Sequence, residues 1–69
     1  MEEQITYGVY WKSDWNPNEF TEFFTWLTTY DAAYKEYKKV LKNPACHAAR
    51  IVERTENYEI VAEKEAKHD

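Results

Sequence analysis

The chain has one cysteine, one glycine, two prolines and one serine in 69 residues. A lone cysteine, Cys46, excludes an intramolecular disulfide. A single glycine excludes the glycine-rich loops that cradle phosphates in P-loop and dinucleotide-binding proteins. Ser13 has no apparent triad partner. No apolar run approaches the ~20 residues a membrane span needs. Met1-Glu2-Glu3-Gln4 is acidic and does not read as a signal peptide, so the expected location is the cytoplasm, inside a host cell. Flexible linkers, low-complexity tracts and repeats are all missing. The expectation is a single domain over 1–69, ordered up to a polar tail that begins at Glu63–Glu65.

Aromatic residues make up 17% of the chain, with three Trp, six Tyr and three Phe. So small a chain needs large apolar groups to build a core, and each ring can bury roughly 150–250 Å². The net charge is −4 and unevenly spread: residues 1–31 carry −5, residues 32–50 carry +4 and residues 51–69 carry −3. That balance is too acidic for a general nucleic-acid binder.

Residues 5–11 read as a strand. One face would carry Ile5, Tyr7, Val9 and Trp11. Gly8, on the other face, would let a neighbour approach closely. Residues 16–30 carry two conflicting signals. Asn16, Pro17 and Glu19 resemble a helix N-terminus with a capping box, and an apolar 3-4 spacing runs from Phe20 to Leu41, so one helix over 17–42 is conceivable. Yet Phe20 to Tyr30 are mostly good strand formers, and Asn16-Pro17-Asn18-Glu19 makes a sound turn. On that second reading, residues 20–27 pair with 5–11 and Thr28 or Thr29 caps a shorter helix. Residues 30–43 are helical on either reading, with Asp31 near the start, lysines near the end and Asn43-Pro44 as the stop. Its apolar face would be Ala33, Tyr34, Tyr37, Val40 and Leu41. From His47 the period becomes two, which predicts a hairpin of strands 47–55 and 58–64, with Tyr58, Ile60 and Ala62 on one face. The fold class is α+β: a three- or four-stranded antiparallel sheet with one face covered by a helix, ordered ββαββ, or βααββ if residues 17–27 are helical.

Cys46-His47 invites a metal or nucleophile reading. Zinc needs about four ligands in paired spacings, and the second histidine, His68, lies in the tail. A small buried cysteine beside a surface histidine is the plainer reading. Carboxylate pairs such as Glu2/Glu3 and Glu63/Glu65 read as solvated surface. Lys35, Lys38, Lys39 and Lys42 form a basic strip beside tyrosines, which could touch nucleic acid but is more commonly a solvated helix face. No catalytic residue, metal ligand or cofactor is expected. Trp11, Trp15 and Trp26 are more than so small a core easily encloses, and exposed Trp is a usual interface anchor. The candidate partner-binding residues are Trp15, Trp26, Glu19, Glu22, Glu56 and Glu59.

The segments Leu27-Thr28-Thr29-Tyr30-Asp31-Ala32-Ala33, Lys42-Asn43-Pro44, Ala49-Arg50-Ile51-Val52-Glu53-Arg54-Thr55 and Tyr58-Glu59-Ile60-Val61 together resemble small α+β proteins of bacteriophages and prophages. The pattern is a Thr-capped helix, a short turn and an ARIVxRT hairpin, over about residues 26–64. The resemblance implies a fold and a mobile-element origin, and carries over no active site. The expected function is a non-enzymatic protein-binding module that inhibits a host nucleic-acid-handling complex by occlusion, in the manner of anti-CRISPR proteins. The expected partner is a host protein or complex, with neither nucleic acid nor membrane. A homodimer, a self-associating structural module and a small nucleic-acid-binding regulator stay open as alternatives.

Overall fold

The computed structural model describes residues 4–66. Along the chain come β1 (Thr6–Ser13), β2 (Glu22–Leu27), α1 (Tyr30–Leu41), β3 (Cys46–Arg54) and β4 (Tyr58–Glu65). The strands form one antiparallel sheet in the order β2-β1-β3-β4, and α1 packs on one face. The order is therefore ββαββ, and the reading of residues 17–27 as helix is overturned. Phe23, Thr25 and Trp26 favour extended backbone, and the ladder with β1 supplies the hydrogen bonds that a helix would have.

The helix begins where a side chain can cap it. Thr29 is extended, and its Oγ1 accepts a bond from the Ala32 amide at 3.1 Å. At the other end Asn43 closes the chain into β3: its Oδ1 accepts from the Ala45 amide at 2.9 Å and its carbonyl from Cys46 at 3.0 Å. Pro44 then prevents continuation.

The core lies between α1 and the sheet. Val9, Ala33, Tyr37, Cys46, Ala49 and Ile51 are buried, with Tyr7, Trp11, Phe24, Leu27, Val40, Leu41, Ala62 and Ala66 packed round them. Ile51 and Val9 are fully enclosed, each worth about 1.5–3 kcal/mol of apolar burial. Burial pushes the Tyr37 hydroxyl's pKa above its ordinary value, with smaller contributions from Tyr34, Tyr30 and Glu63.

Four expectations need correction. Ile5 precedes β1 and is exposed. Tyr34 is exposed at the rim of α1, its ring between those of Tyr30 and Tyr37. The polar tail starts later than Glu63, because β4 runs to Glu65 and the Ala66 amide bonds to the His47 carbonyl at 2.9 Å. Tyr58, Ile60 and Ala62 do not share a face. Ala62 pairs with Ile51 on the helix side, while Ile60 pairs with Val52 and Tyr58 with Arg54 on the other. The extra residue is Val61, a β-bulge that turns the first half of β4 over. Glu2, Glu3 and His68 lie outside the described residues.

Candidate functional site

Alternation along the strands sends half of the side chains away from α1. Among the described residues no element covers that second face of the sheet, and it is unusually aromatic. Tyr10 comes from β1, Phe23 and Trp26 from β2, and Tyr58 and Ile60 from β4. Phe20 leans in from the β1–β2 connection. The ring centroids of Tyr10 and Phe23 are 4.7 Å apart, those of Phe23 and Trp26 5.2 Å, and those of Trp26 and Tyr58 6.1 Å.

Gly8 explains how rings from opposite edges of the sheet meet. β2 and β4 are three strand spacings apart, roughly 14 Å. Trp26 pairs with Gly8 and lies across the gap that the glycine leaves. A Cβ at Gly8 would fall 2.8 Å from Trp26 Cζ3 and 2.9 Å from Phe23 Cε2, closer than real Cβ contacts allow. The glycine's role here is therefore space rather than backbone conformation.

Two arginines lie on the rings. The Arg54 guanidinium sits 4.0 Å from the Trp26 ring centroid, and its Nε donates to Thr6 Oγ1 at 3.1 Å. The Arg50 guanidinium sits 3.5 Å from the Phe20 centroid and donates from Nε to Glu63 Oε1 at 2.9 Å. Lys12 also stands over Phe20, at 4.8 Å. Tyr10, Phe20, Arg50, Val52, Tyr58 and Ile60 enclose a shallow hollow of about 320 Å³. Tyr58 is 69% and Ile60 53% exposed, which is expensive for apolar groups unless something covers them.

The structure separates the six residues expected to bind a partner. Trp26 belongs to the aromatic face. Trp15 is 92% exposed at the tip of the tight turn Ser13–Asn16. Glu19 is exposed in the following turn, which closes by a bond from the Glu19 amide to the Asn16 carbonyl at 3.4 Å. Glu22 opens β2 opposite Trp11, on the helix side, and accepts from Ser13 Oγ at 3.4 Å. Glu56 and Glu59 lie at the other end of the sheet, in and just after the β3–β4 turn, with Glu59 directly opposite Glu53. The three tryptophans thus divide between core edge, open face and solvent, and do not all close the core.

Sequence reasoning missed Tyr10, Phe20, Phe23, Tyr58, Ile60, Arg50 and Arg54 as one surface. The signal available was Gly8, the lone glycine, set in a strand between aromatics. His47 and Cys46 diverge as expected. Cys46 is buried, its thiol is pushed up by burial, and it contacts the Ala48 carbonyl. His47 is exposed and meets Asp14 Oδ1 at 2.6 Å, which ties the β1–β2 turn to β3. Among the described residues no group of three His, Cys, Asp or Glu is placed to hold a metal ion, and no helix is long and apolar enough to cross a membrane.

No family model, no curated protein and no solved structure matches the chain.

Proposed function

We propose that this chain is a protein-binding module that docks through the open face of its sheet and acts by covering a surface of its partner. The observation that carries this reading is the continuous aromatic platform of Tyr10, Phe23, Trp26 and Tyr58, with Arg50 and Arg54 laid on Phe20 and Trp26. Trp, Tyr and Arg are the residues that dominate binding energy at protein interfaces. These rings already hold one another, so little side-chain freedom remains to be lost on binding.

Charge argues for a protein rather than a nucleic acid. The chain carries −4, and phosphate binding relies on unneutralised cations. On this face Arg50 is paired with Glu63, which leaves Arg54 on Trp26 and Lys12 on Phe20 as charged groups, fewer than a phosphate-tracking surface uses. Glu56 lies in the β3–β4 turn beside the platform, where negative charge would complement a basic partner surface, whereas Glu59 pairs with Glu53 on the helix side of the sheet. This supports inhibition of a nucleic-acid-handling complex of the host by occlusion, the role implied by the resemblance to small phage proteins.

The test places a photo-crosslinking residue at Tyr58, or at the still more exposed Trp15 as a control, in bacterial cells producing the protein. The expected result is a discrete nuclease-resistant adduct with another protein from position 58 and none from position 15. A nuclease-sensitive adduct, an adduct with a second copy alone, or equal labelling from both positions would overturn the proposal.

A further inference from the structure

The sheet has two outer edges and they differ in chemistry. Both outer strands carry a bulge, at Val61 in β4 and at Phe24–Thr25 in β2, so charge is what sets them apart: the β4 edge carries Glu59, Glu63, Lys64 and Glu65, which discourage further strand pairing. The β2 edge, Glu-Phe-Phe-Thr-Trp-Leu, carries one charge, at the end nearest the β1–β2 turn. Among the described residues the backbone groups on its outer side have no strand partner, because β2 is terminal in the sheet and pairs only with β1. Such a row of donors and acceptors is matched by an extended chain.

The flank of α1 beside that edge is basic. Lys35, Lys38, Lys39 and Lys42 recur at helical spacing and, with Leu27 of β2 and Glu36, line a groove of about 440 Å³. Four lysines there stand against one glutamate, which is held by Lys39 at 3.5 Å.

We propose that an acidic, extended segment of a partner protein adds a strand to the outer edge of β2, with its carboxylates under the lysines of α1. The lysines decide the occupant. Two-fold pairing of β2 with β2 of a second copy would bring two α1 lysine rows together across the joint, a like-charge encounter. An acidic strand meets the same row with complementary charge. The groove and the aromatic platform share only β2 and lie on opposite sides of the sheet, so this inference adds a second contact and does not rest on the first.

The probe is an acetylated octapeptide alternating valine and glutamate, titrated into the intact protein and followed by amide chemical shifts. Its controls are the valine–lysine counterpart and two versions N-methylated at alternate residues, one on the valines and one on the glutamates. The expected result is saturable binding that moves amides of β2 and of Lys35 to Lys42, with no binding of the lysine peptide. One N-methylation pattern, the one that removes the N–H groups facing β2, abolishes binding and the other preserves it. The triple variant Lys35→Glu, Lys39→Glu, Lys42→Glu, all on the solvent side of α1, binds on the order of tenfold more weakly. No binding, binding on the Tyr58 face, indifference to both N-methylation patterns, or preference of the lysine row for a short poly(dT) oligonucleotide over the peptide would overturn it. Binding here in a protein whose Tyr58 forms no cross-link would sink the platform and leave this groove standing.

Discussion

Gly8→Ala is the smallest change that reaches the aromatic platform. The new methyl would sit 2.8–2.9 Å from the Trp26 and Phe23 rings, so something must move. Overpacking of this kind costs about 1–3 kcal/mol, while replacing glycine in a strand returns about 0.5–1 kcal/mol of backbone entropy, leaving a net loss of about 0–2.5 kcal/mol. In a domain of this size each kcal/mol shifts Tm by roughly 4–8 °C. Phe23 is 40% exposed, so the rings can relieve the clash by swinging outward. The stack of Arg54 on Trp26 and the contact with Tyr58 are then lost. Either response displaces Trp26, and its indole N–H resonance reports that directly. The expected outcome is a lower midpoint in urea together with a shifted Trp26 indole signal. A variant that gains stability with that signal unmoved would refute the claim that Gly8 makes room for the rings.

Other consequences follow from single side chains. Thr29→Ala removes the cap of α1 and should cost about 1 kcal/mol in denaturant unfolding, with Thr29→Ser retaining most of it. Glu59 faces Glu53 across the hairpin, so Glu59→Lys should raise stability by about 0.2–1 kcal/mol; a loss would mean that the like-charge pair is not felt. Tyr37 and Cys46 both titrate higher folded than unfolded, Tyr37 chiefly through burial. The unfolded chain therefore releases these protons first as pH rises. Their contribution is intact at neutral pH and is lost through the alkaline range above the unfolded values of 9.0 for Cys46 and 10.0 for Tyr37. Tyr37→Phe should flatten the alkaline decline of Tm, and an unchanged slope would contradict the burial argument.

Much of the fold was legible because local chemistry and tertiary demand agree. Thr29 caps, Asn43-Pro44 stops, and from Ala49 to Val52 β3 alternates between core and half-exposed positions. Residues 16–30 were ambiguous because Asn16-Pro17-Asn18-Glu19 opens a helix or closes a turn equally well. Only the pairing of Phe23 with Tyr10 and Trp26 with Gly8 decides it, and that is a long-range event. The platform was hidden for two further reasons. The bulge at Val61 moves Tyr58 and Ile60 to the face opposite Ala62, and no local residue pattern marks a bulge. Phe20 lies outside any strand and joins the face through Arg50, thirty positions away. Trp15 was readable as exposed because a turn throws its side chain outward, but exposure alone did not place it beside Trp26.

Once the protein cross-linked at position 58 is identified, calorimetric titration of that partner with Tyr58→Ala, Ile60→Ala and Trp15→Ala tests the docking face most directly. Tyr58→Ala and Ile60→Ala remove exposed atoms and should leave the fold intact, which the α1 and β3 amide shifts will verify. Tyr58→Ala should weaken binding by about 2 kcal/mol or more, Ile60→Ala by about 1, and Trp15→Ala by under ~0.5. The reverse order, with Trp15→Ala abolishing the complex and Tyr58→Ala leaving it unchanged, would move the interface to the β1–β2 turn and rule out docking through the open face of the sheet.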